Sequence, residues 1–297
     1  MSPALPAANP AAEITFRRVA TNGVHLHVAQ AGPDDGRLVL LLHGFPEFWY
    51  QWRRQIPALA AAGFCVWAPD QRGYHLSDKP PRVCNYSLDA LAGDVAGLIE
   101  AAGRRRAVVV GHDWGGAVAW WLATQQPELI DRLVIINVPH PLVLRRLLWT
   151  NPRQMLRSWY MFVLQLPWVP EWMGQRRDWE GLVQGLQASS RPGTFSEADI
   201  HEYRRAWSQP RAYTSMVNWY RAMFRCRLVA ARNSRILPPT LILWGANDKF
   251  IGREGAEQSL ALCDLGQLVY YEQATHWLPH EEPDDVARQI VHFASSG

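Results

Sequence analysis

Continuous apolar runs alternate with helix-like segments along the first half of the chain. Four of these runs lie at residues 38–42, 64–68, 107–110 and 133–136. Strands that are apolar on both faces are typical of a parallel sheet that helices cover on each side. Two more strand-like runs follow at residues 240–244 and 268–271. The pattern predicts an α/β fold built on a mostly parallel, twisted sheet flanked by helices.

The chain ahead of these runs divides into two parts. Residues 14–20 and 24–30 surround Asn22-Gly23 and predict an antiparallel hairpin at the edge of the sheet. Residues 1–13 are rich in Ala and Pro, with neither the basic start nor the apolar core of a signal peptide. We expect them to form a flexible N-terminal arm of a cytoplasmic protein.

The pattern changes between residues 141 and 227, where no strand-like run is visible and amphipathic segments rich in Trp and Arg dominate. The simplest interpretation is an α/β core of residues 14–140 and 228–297, interrupted by a helical cap, or lid, of residues 141–227. Some of the cap tryptophans are candidates to line a pocket, but we expect most of the following to fill the core of the cap: Trp149, Trp159, Trp168 and Trp207. We expect the arginines of the cap to be solvated, with an oligomer contact left open: Arg145, Arg146, Arg176, Arg177, Arg204 and Arg205.

Composition and charge exclude several classes of function. The chain has 297 residues, of which 48% are hydrophobic, enough for one large core. Its net charge of +3 gives no reason to expect a nucleic-acid partner, and no apolar stretch is long enough to span a membrane, so we expect no membrane insertion. Four cysteines lie far apart, without the spacing of a metal or redox site: Cys65, Cys84, Cys226 and Cys263. Free thiols in a reducing compartment fit this spacing best, although a disulfide remains open.

The candidate chemistry starts at the end of the apolar run 107–110. The chain continues Gly111-His112-Asp113-Trp114-Gly115-Gly116 into a helical stretch, which is the strand, sharp turn and helix of a nucleophile elbow. Asp113 occupies the exposed position of that turn. A carboxylate there attacks an sp³ carbon that bears a leaving group and becomes an ester. The alternative is a Gly-rich turn in which Asp113 caps the helix.

Three further motifs follow apolar strands, where open parallel sheets place their active sites. Asp248, after the strand at 240–244, is placed to orient an imidazole, and His276, after the last strand, is the candidate general base. The loop at residues 43–47 and the residue after the nucleophile supply an oxyanion hole in elbow enzymes, which predicts the backbone amides of Phe45 and Trp114. The chain order nucleophile, acid, histidine matches that of α/β-hydrolases.

From about residue 14 onward the chain resembles the epoxide hydrolases of the α/β-hydrolase fold. The motifs that carry the resemblance are His43-Gly44-Phe45-Pro46-Glu47, Asp70-Gln71-Arg72-Gly73-Tyr74 with Ser77-Asp78, and the elbow motif. His75 stands where the family often has Gly or Asn, but His also tolerates left-handed backbone better than most residues.

The resemblance extends to two segments of the cap. Family members use two cap tyrosines to hydrogen-bond the epoxide oxygen, and residues 159–167 and 218–223 resemble the segments that carry them. The resemblance therefore implies Tyr160 and Tyr220 as donors. It also implies that Phe45, Trp114 and Trp159 bind substrate beside them. Two other tyrosines of the cap match no family position, and we expect them to pack structurally: Tyr203 and Tyr213.

The implied reaction converts apolar aryl or alkyl epoxides to vicinal diols. Asp113 forms the ester, and water activated by His276, with Asp248 behind it, hydrolyses that ester; no metal or organic cofactor enters. A haloalkane dehalogenase shares the same nucleophile but usually has Asn where Phe45 stands. Fluoroacetate dehalogenases carry arginines where this chain has Trp114 and Ala117. A non-catalytic binding protein is the third reading, although the implied catalytic side chains are all present. Oligomeric state is not readable from the sequence.

Overall fold

The structure, a computed structural model, describes residues 13–233 and 235–296, so nearly all of the predicted N-terminal arm lies outside the described residues. The strands are β1 (Thr15–Thr21), β2 (Val24–Ala31), β3 (Leu38–Leu42), β4 (Cys65–Pro69), β5 (Ala107–His112), β6 (Ile130–Ile136), β7 (Thr240–Gly245) and β8 (Gly266–Tyr271). They form one eight-stranded sheet in the order β1-β2-β4-β3-β5-β6-β7-β8.

The sheet is parallel except at one edge, where β1 and β2 form an antiparallel hairpin and β2 also runs antiparallel to β4. Asn22 and Gly23 connect the hairpin with φ angles of 41° and 76°. A two-residue hairpin turn of this kind needs positive φ at both positions, which Asn and Gly adopt at low cost. The predicted edge hairpin is confirmed.

Helices cover both faces of the sheet. The helices before β6 are α1 (Gln55–Ala61), α2 (Leu88–Ala101) and α3 (Trp114–Gln125); those after β6 are α4 (Pro141–Thr150), α5 (Pro152–Arg157), α6 (Trp159–Val163), α7 (Val169–Gln175), α8 (Glu180–Ser189), α9 (Glu197–Trp207), α10 (Ala212–Arg225), α11 (Arg253–Leu260), α12 (Leu278–Glu281) and α13 (Pro283–Ser295). Alternate residues of each central strand join two apolar clusters, as Leu40 and Leu41 show. Helices α1 and α13 pack on one face of the sheet, and α2 and α3 on the other.

Seven helices, α4 to α10, lie between β6 and β7, and the described residues of this stretch contain no strand. We call these helices the cap. None of the helices in the described ranges combines the length and apolarity needed to cross a bilayer.

The tryptophans of the cap differ from the sequence-based expectation. Trp207 is buried and donates from its indole to the Pro46 carbonyl (2.6 Å). Three others are exposed, Trp149 at 72%, Trp159 at 63% and Trp168 at 82%. The expectation that most of these four fill the cap core is therefore wrong. In α4 the inward face is already taken by leucines, so the helical phase turns Trp149 outward.

The expectation of four free thiols is wrong for one pair. Cys84 and Cys226 form a disulfide with Cα atoms 5.5 Å apart, while Cys65 and Cys263 are free and buried. The disulfide joins a 3₁₀ turn of the core (Val83–Tyr86) to the residue that ends α10. The two cysteines are 142 residues apart in sequence, so only the folded chain brings them together.

Replacing both bridging cysteines, in the variant C84S/C226S, is expected to lower the free energy of unfolding by about 2–5 kcal/mol, because the crosslink closes a long loop in the unfolded chain. Urea unfolding of oxidised protein and variant checks this. Reductant should bring the wild-type midpoint to that of the variant and leave the variant unchanged. Equal midpoints for oxidised and reduced wild type would contradict the prediction.

Candidate active site

Asp113 lies in the turn between β5 and α3 with φ 50° and ψ −123°, a backbone conformation that residues other than Gly rarely adopt. The turn requires α3 to lie close to β5. Glycine at position 111 permits this, because a Cβ there would lie 2.5 Å from the Gly115 carbonyl oxygen. A side chain at Gly44 would likewise meet the Asp113 side chain. The predicted elbow is therefore formed, with its carboxylate at the carboxyl end of the central strands.

The Asp113 side chain makes no capping hydrogen bond to α3, which removes the capping alternative. Instead its Oδ1 accepts from the Phe45 amide at 2.8 Å. Trp114 is the first residue of α3, a position whose backbone N–H has no partner within the helix. Of the two amides predicted for an oxyanion hole, that of Phe45 is therefore already bonded to the carboxylate, and that of Trp114 has no partner within α3.

The loop that carries Phe45 is fixed by buried polar contacts. Its peptide bond to Pro46 is cis. The His43 ring contacts the Gly44 carbonyl through Nδ1 (3.0 Å) and accepts from the Gln71 amide through Nε2 (3.0 Å). Burial lowers the pKa of His43, in keeping with a neutral ring that accepts at one nitrogen and donates at the other. The loop therefore presents the Phe45 amide in one defined orientation.

His276 stands between two carboxylates. Its Nδ1 is 2.7 Å from Asp248 Oδ2, and its Nε2 is 3.6 Å from Asp113 Oδ2. The His276 ring is almost fully buried, and the Asp113 side chain is 14% exposed. The structure brings the three side chains together in the order acid, imidazole, elbow carboxylate. This spacing also leaves His276 Nε2 directed toward the elbow.

Asp248 is oriented by a residue that lies outside the motifs identified in the sequence. Asn137, at the end of β6, donates through Nδ2 to Asp248 Oδ2 (2.8 Å) and accepts from the Gly245 amide (2.9 Å). The other Asp248 oxygen accepts from the amides of Phe250 (2.7 Å) and Ile251 (3.0 Å). The position of Asn137 at a strand end was the available signal for this supporting role.

Opposing effects set the charges of this group. Burial alone would lower the pKa of His276, but the Asp248 and Asp113 carboxylates raise it to about 10. Burial would raise the pKa of Asp113, but the hydrogen bond and charge of His276 lower it overall. At neutral pH the resting site therefore holds an imidazolium between two carboxylates.

The two tyrosines implied by the resemblance lie over the elbow. The Tyr220 ring packs edge-on against Trp114 (centroids 5.0 Å apart) and Phe45 (5.2 Å), and Tyr160 lies 6.0 Å from Tyr220. Burial, together with the Asp113 charge, raises the pKa of both phenols above the ordinary value. Both hydroxyls therefore stay protonated at neutral pH and are able to donate.

Two cavities meet at Asp113, and each is also lined by Tyr160 and Tyr220. One, of about 540 Å³, extends past Trp114 toward a mostly apolar set of residues: Leu144, Leu148, Trp149, Met161, Met223 and Phe224. The other, of about 420 Å³, extends past Phe45 and His276 toward Trp159, where it opens. All five residues predicted to bind substrate therefore line one or both cavities.

A second buried carboxylate lies behind the loop of Phe45. Glu47 accepts from the hydroxyl of Tyr203 (2.6 Å) and contacts His280 Nε2, and its other oxygen is 3.4 Å from His112. The Nε2 of His112 lies 2.8 Å from the carbonyl of His276. Tyr203 is structural, as predicted, but its partner was not foreseen because the residues of this group are far apart in sequence.

One group of side chains has the types and spacing of metal ligands. Within the described ranges, His27, Asp70 and His75 bring one ligand atom each to within 4.8 Å of one another. In this structure both imidazoles contact the same Asp70 oxygen, at 2.7 and 2.9 Å. His75 has φ 37°, which confirms the expected left-handed backbone. These residues line neither cavity at Asp113, so they lie apart from the elbow.

Comparison with known proteins agrees with this geometry. The sequence profile of a family described as alpha/beta hydrolase fold matches residues 37–283. The AB hydrolase superfamily protein YfhM of Bacillus subtilis is 45% identical over 93% of this chain and 96% of its own length. Epoxide hydrolase 1 of Caenorhabditis elegans is 39% identical over 93% of this chain and 69% of its own length.

A solved structure gives the same picture. A mutant epoxide hydrolase from Bacillus megaterium, complexed with its product, a naphthyloxy-propane-1,2-diol, superposes with a TM-score of 0.85 at 30% identity, over 94% of this chain and all of the other. The predicted fold, a mostly parallel sheet with helices on both faces and an inserted helical cap, is confirmed.

Proposed function

This chain belongs to the α/β-hydrolase fold family and to the epoxide hydrolases within it, and from that premise we propose that it converts apolar epoxides to vicinal diols through an ester on Asp113. One observation carries the proposal. The elbow carboxylate and the two cap tyrosines line the same pair of cavities, so a nucleophile and two hydroxyl donors face one space. Residues 141–227 serve as the cap that brings the tyrosines over the elbow.

In the first half of the reaction Asp113 attacks one carbon of the epoxide. The C–O bond of the ring breaks, and its electron pair passes to the ring oxygen. Tyr160 and Tyr220 donate hydrogen bonds to that oxygen, and one of them supplies its proton. Negative charge thereby moves from the carboxylate to the ring oxygen. An alkoxide is a stronger base than a phenolate and so takes the proton, and loss of the Asp113 charge removes one of the causes that raise the phenol pKa values.

In the second half His276 removes a proton from water, which attacks the carbonyl carbon of the ester. The tetrahedral oxyanion on the Asp113 carboxyl is met by the amides of Phe45 and Trp114, each worth roughly 3 kcal/mol of barrier. The Phe45 amide needs little movement, because it already bonds to the carboxylate at 2.8 Å. Collapse of this intermediate breaks the ester C–O bond and restores the carboxylate. The proton held by His276 and the remaining proton of the attacking water pass to the released diol oxygen and to the phenolate, so that every group returns to its starting state.

The lining of the cavities supports apolar epoxides as the substrate class. Most of the residues around the larger cavity are apolar, and the smaller one adds Phe45, Leu182, Leu186 and Trp277. Pockets of several hundred Å³ with few polar groups take drug-sized apolar molecules. The Bacillus megaterium neighbour is described with an aryl-bearing diol as its product. We therefore expect aryl or alkyl epoxides to be turned over here.

A single-turnover incubation of excess enzyme with racemic styrene oxide in ¹⁸O-water tests the proposal. Diol formation with the label entering the Asp113 carboxylate, read by peptide mass spectrometry, is expected. Diol with solvent label and none in Asp113 would mean direct hydration and would remove the ester. If no diol forms but bromide is released from 1-bromobutane, the chain is a dehalogenase.

The variants Y160F and Y220F are each expected to slow ester formation by about 10²-fold, because each lacks one hydroxyl donor to the ring oxygen. Hydrolysis of the ester should change little, since the tyrosines act on the ring oxygen. Rapid-quench measurement of both steps separates them. The variant Y270F, in β8, is the matched control, because Tyr270 lines neither cavity. Equal slowing of both steps would contradict the assignment.

Lowering the pH from neutral is expected to slow ester hydrolysis before it slows ester formation. Two carboxylates hold the pKa of His276 at about 10 in the resting enzyme. Formation of the ester removes the Asp113 charge, so the pKa of His276 falls and the neutral imidazole becomes available as a base. Acid protonates that imidazole again and stops hydrolysis of the ester. Ester formation needs only ionised Asp113, whose pKa is lowered. Stopped-flow tryptophan fluorescence over a pH series measures both rates, and a common acid limb would contradict the scheme.

A further inference from the structure

The outer surface of the cap exposes large apolar side chains in one stretch of chain. Among the described residues 17 large apolar side chains are exposed, and eleven of them lie between residues 142 and 173. We call these eleven residues the cap face: Leu142, Trp149, Met155, Leu156, Trp159, Phe162, Leu166, Trp168, Val169, Trp172 and Met173. They come from helices α4 to α7 and the short link between α6 and α7, and α4 packs on α5 and α5 on α6. Isolated exposed apolar residues are ordinary, but a concentration of this kind marks an interaction surface.

The same stretch carries unbalanced positive charge. Residues 141–177 contain six arginines and one acidic residue, Glu171, which pairs with Arg221 at 2.6 Å. Within the described part of the chain the six arginines form no ion pair with a carboxylate: Arg145, Arg146, Arg153, Arg157, Arg176 and Arg177. The Arg176 guanidinium lies 4.4 Å over the Trp172 ring. Cationic and apolar groups are therefore interleaved on one surface.

This combination matches the chemistry of an anionic membrane surface. Indole rings favour the boundary between headgroups and acyl chains, because they have an apolar body and one polar N–H. A guanidinium group can donate two parallel hydrogen bonds to the oxygens of one phosphate, and its positive charge is attracted to anionic lipid. A second copy of the chain fits less well, because a symmetric contact would bring twelve arginines together, and the one acidic residue of each stretch, Glu171, already pairs with Arg221.

We propose that the cap face docks on the surface of a bilayer that contains anionic lipid. The residues that line the two cavities indicate how the protein is oriented on the bilayer. Leu142 and Trp149 of the cap face line the larger cavity, and Leu156 and Trp159 line the smaller one. Both cavities therefore reach the docking surface. An apolar epoxide dissolved in the bilayer would enter without crossing water, and this point alone rests on the proposed function.

Vesicle flotation of the full chain tests the docking. Vesicles of phosphatidylcholine alone are compared with vesicles of two parts phosphatidylcholine to one part phosphatidylglycerol, at low and at physiological salt. We expect binding to the mixed vesicles that weakens as salt rises. Binding needs no turnover, so failure of this proposal is separate from failure of the proposed reaction.

Matched pairs of variants assign the binding to the cap face. R176Q/R177N is expected to weaken partitioning by about 30-fold, at roughly fivefold per arginine. The control R105Q/R106N removes an equal charge from the exposed pair that precedes β5 and should bind as wild type. W168N/W172Q should lose most binding, and its control L237Q/L265Q should not. Thermal midpoints and turnover without vesicles should stay at wild-type values in all four.

Two outcomes would overturn the proposal. One is a failure of the vesicle assay, either because wild type does not bind the mixed vesicles at low salt or because the two cap-face variants bind them as well as wild type does. The other is concentration-dependent association in sedimentation velocity without vesicles, lost in W168N/W172Q, which would assign the cap face to a second copy of the chain.

Discussion

Replacing Asp113 with Asn is expected to lower kcat/KM for styrene oxide by on the order of 10⁴-fold or more, since loss of a catalytic nucleophile commonly costs this much. The amide keeps the size of the side chain and its contact with the Phe45 amide, but it has no charge with which to attack carbon. Rapid-quench assays of diol, with mass spectrometry of the protein, measure the loss. No mass increase from a bound epoxide is expected.

Two controls separate chemistry from folding in this prediction. Asp284 is exposed in the first turn of α13, and D284N makes the same chemical change there, so it should leave activity unchanged and lower stability by about 1 kcal/mol at most. D113A removes the side chain and should be equally inactive. If D113N retained diol formation with the wild-type distribution of solvent label, the ester mechanism would be wrong.

The variant H276Q is expected to form the ester and then stop. Ester formation requires Asp113 and the tyrosines, whereas hydrolysis requires a base for water, so one equivalent of epoxide should be consumed and turnover should fall by about 10³–10⁴-fold. Intact-protein mass spectrometry should show an adduct equal in mass to the epoxide, and peptide mapping should place it on Asp113. The imidazolium also helps to keep Asp113 ionised, so ester formation is expected to slow at acid pH.

A matched histidine variant and a neighbour variant sharpen this result. His201 is exposed on α9, and H201Q should behave as wild type. D248N should accumulate the same adduct, because the amide holds the His276 ring less well in the orientation that accepts a proton from water. Loss of both adduct and diol in H276Q would show that His276 is needed for the first step, which contradicts the division of roles.

The sheet was predictable because its central strands are buried on both faces. Every residue of a strand such as β5 is buried, and its first four are apolar; such a run is visible in a single sequence without reference to distant residues. The positions of Asp113, Asp248 and His276 followed from the same logic, since each lies in the segment that follows a strand. The edge hairpin was visible because Asn22-Gly23 meets a backbone requirement that few residue pairs meet.

Features that depend on packing between distant segments were not predictable. The Cys84–Cys226 disulfide depends on how α10 lies against the core. The contact of Asn137 with Asp248 depends on the spacing of two neighbouring strands. The exposure of Trp149 depends on which side of α4 faces inward. The sequence of α4 has apolar residues, Leu and Trp, on more than one side, so it does not determine which side is buried. A tryptophan-rich segment alone does not distinguish a core from a surface.

The two cavities that meet at Asp113 differ in size and in lining, so the site is asymmetric and can distinguish enantiomers. The two enantiomers of a chiral epoxide carry the same substituents, but they direct them to opposite sides of the carbon that the nucleophile attacks. With the ring oxygen held by Tyr160 and Tyr220, one enantiomer places its bulky group in the larger cavity, and the other must direct it toward the smaller one, past His276. Racemic epoxide should therefore be resolved, the slower antipode remaining behind in optically enriched form.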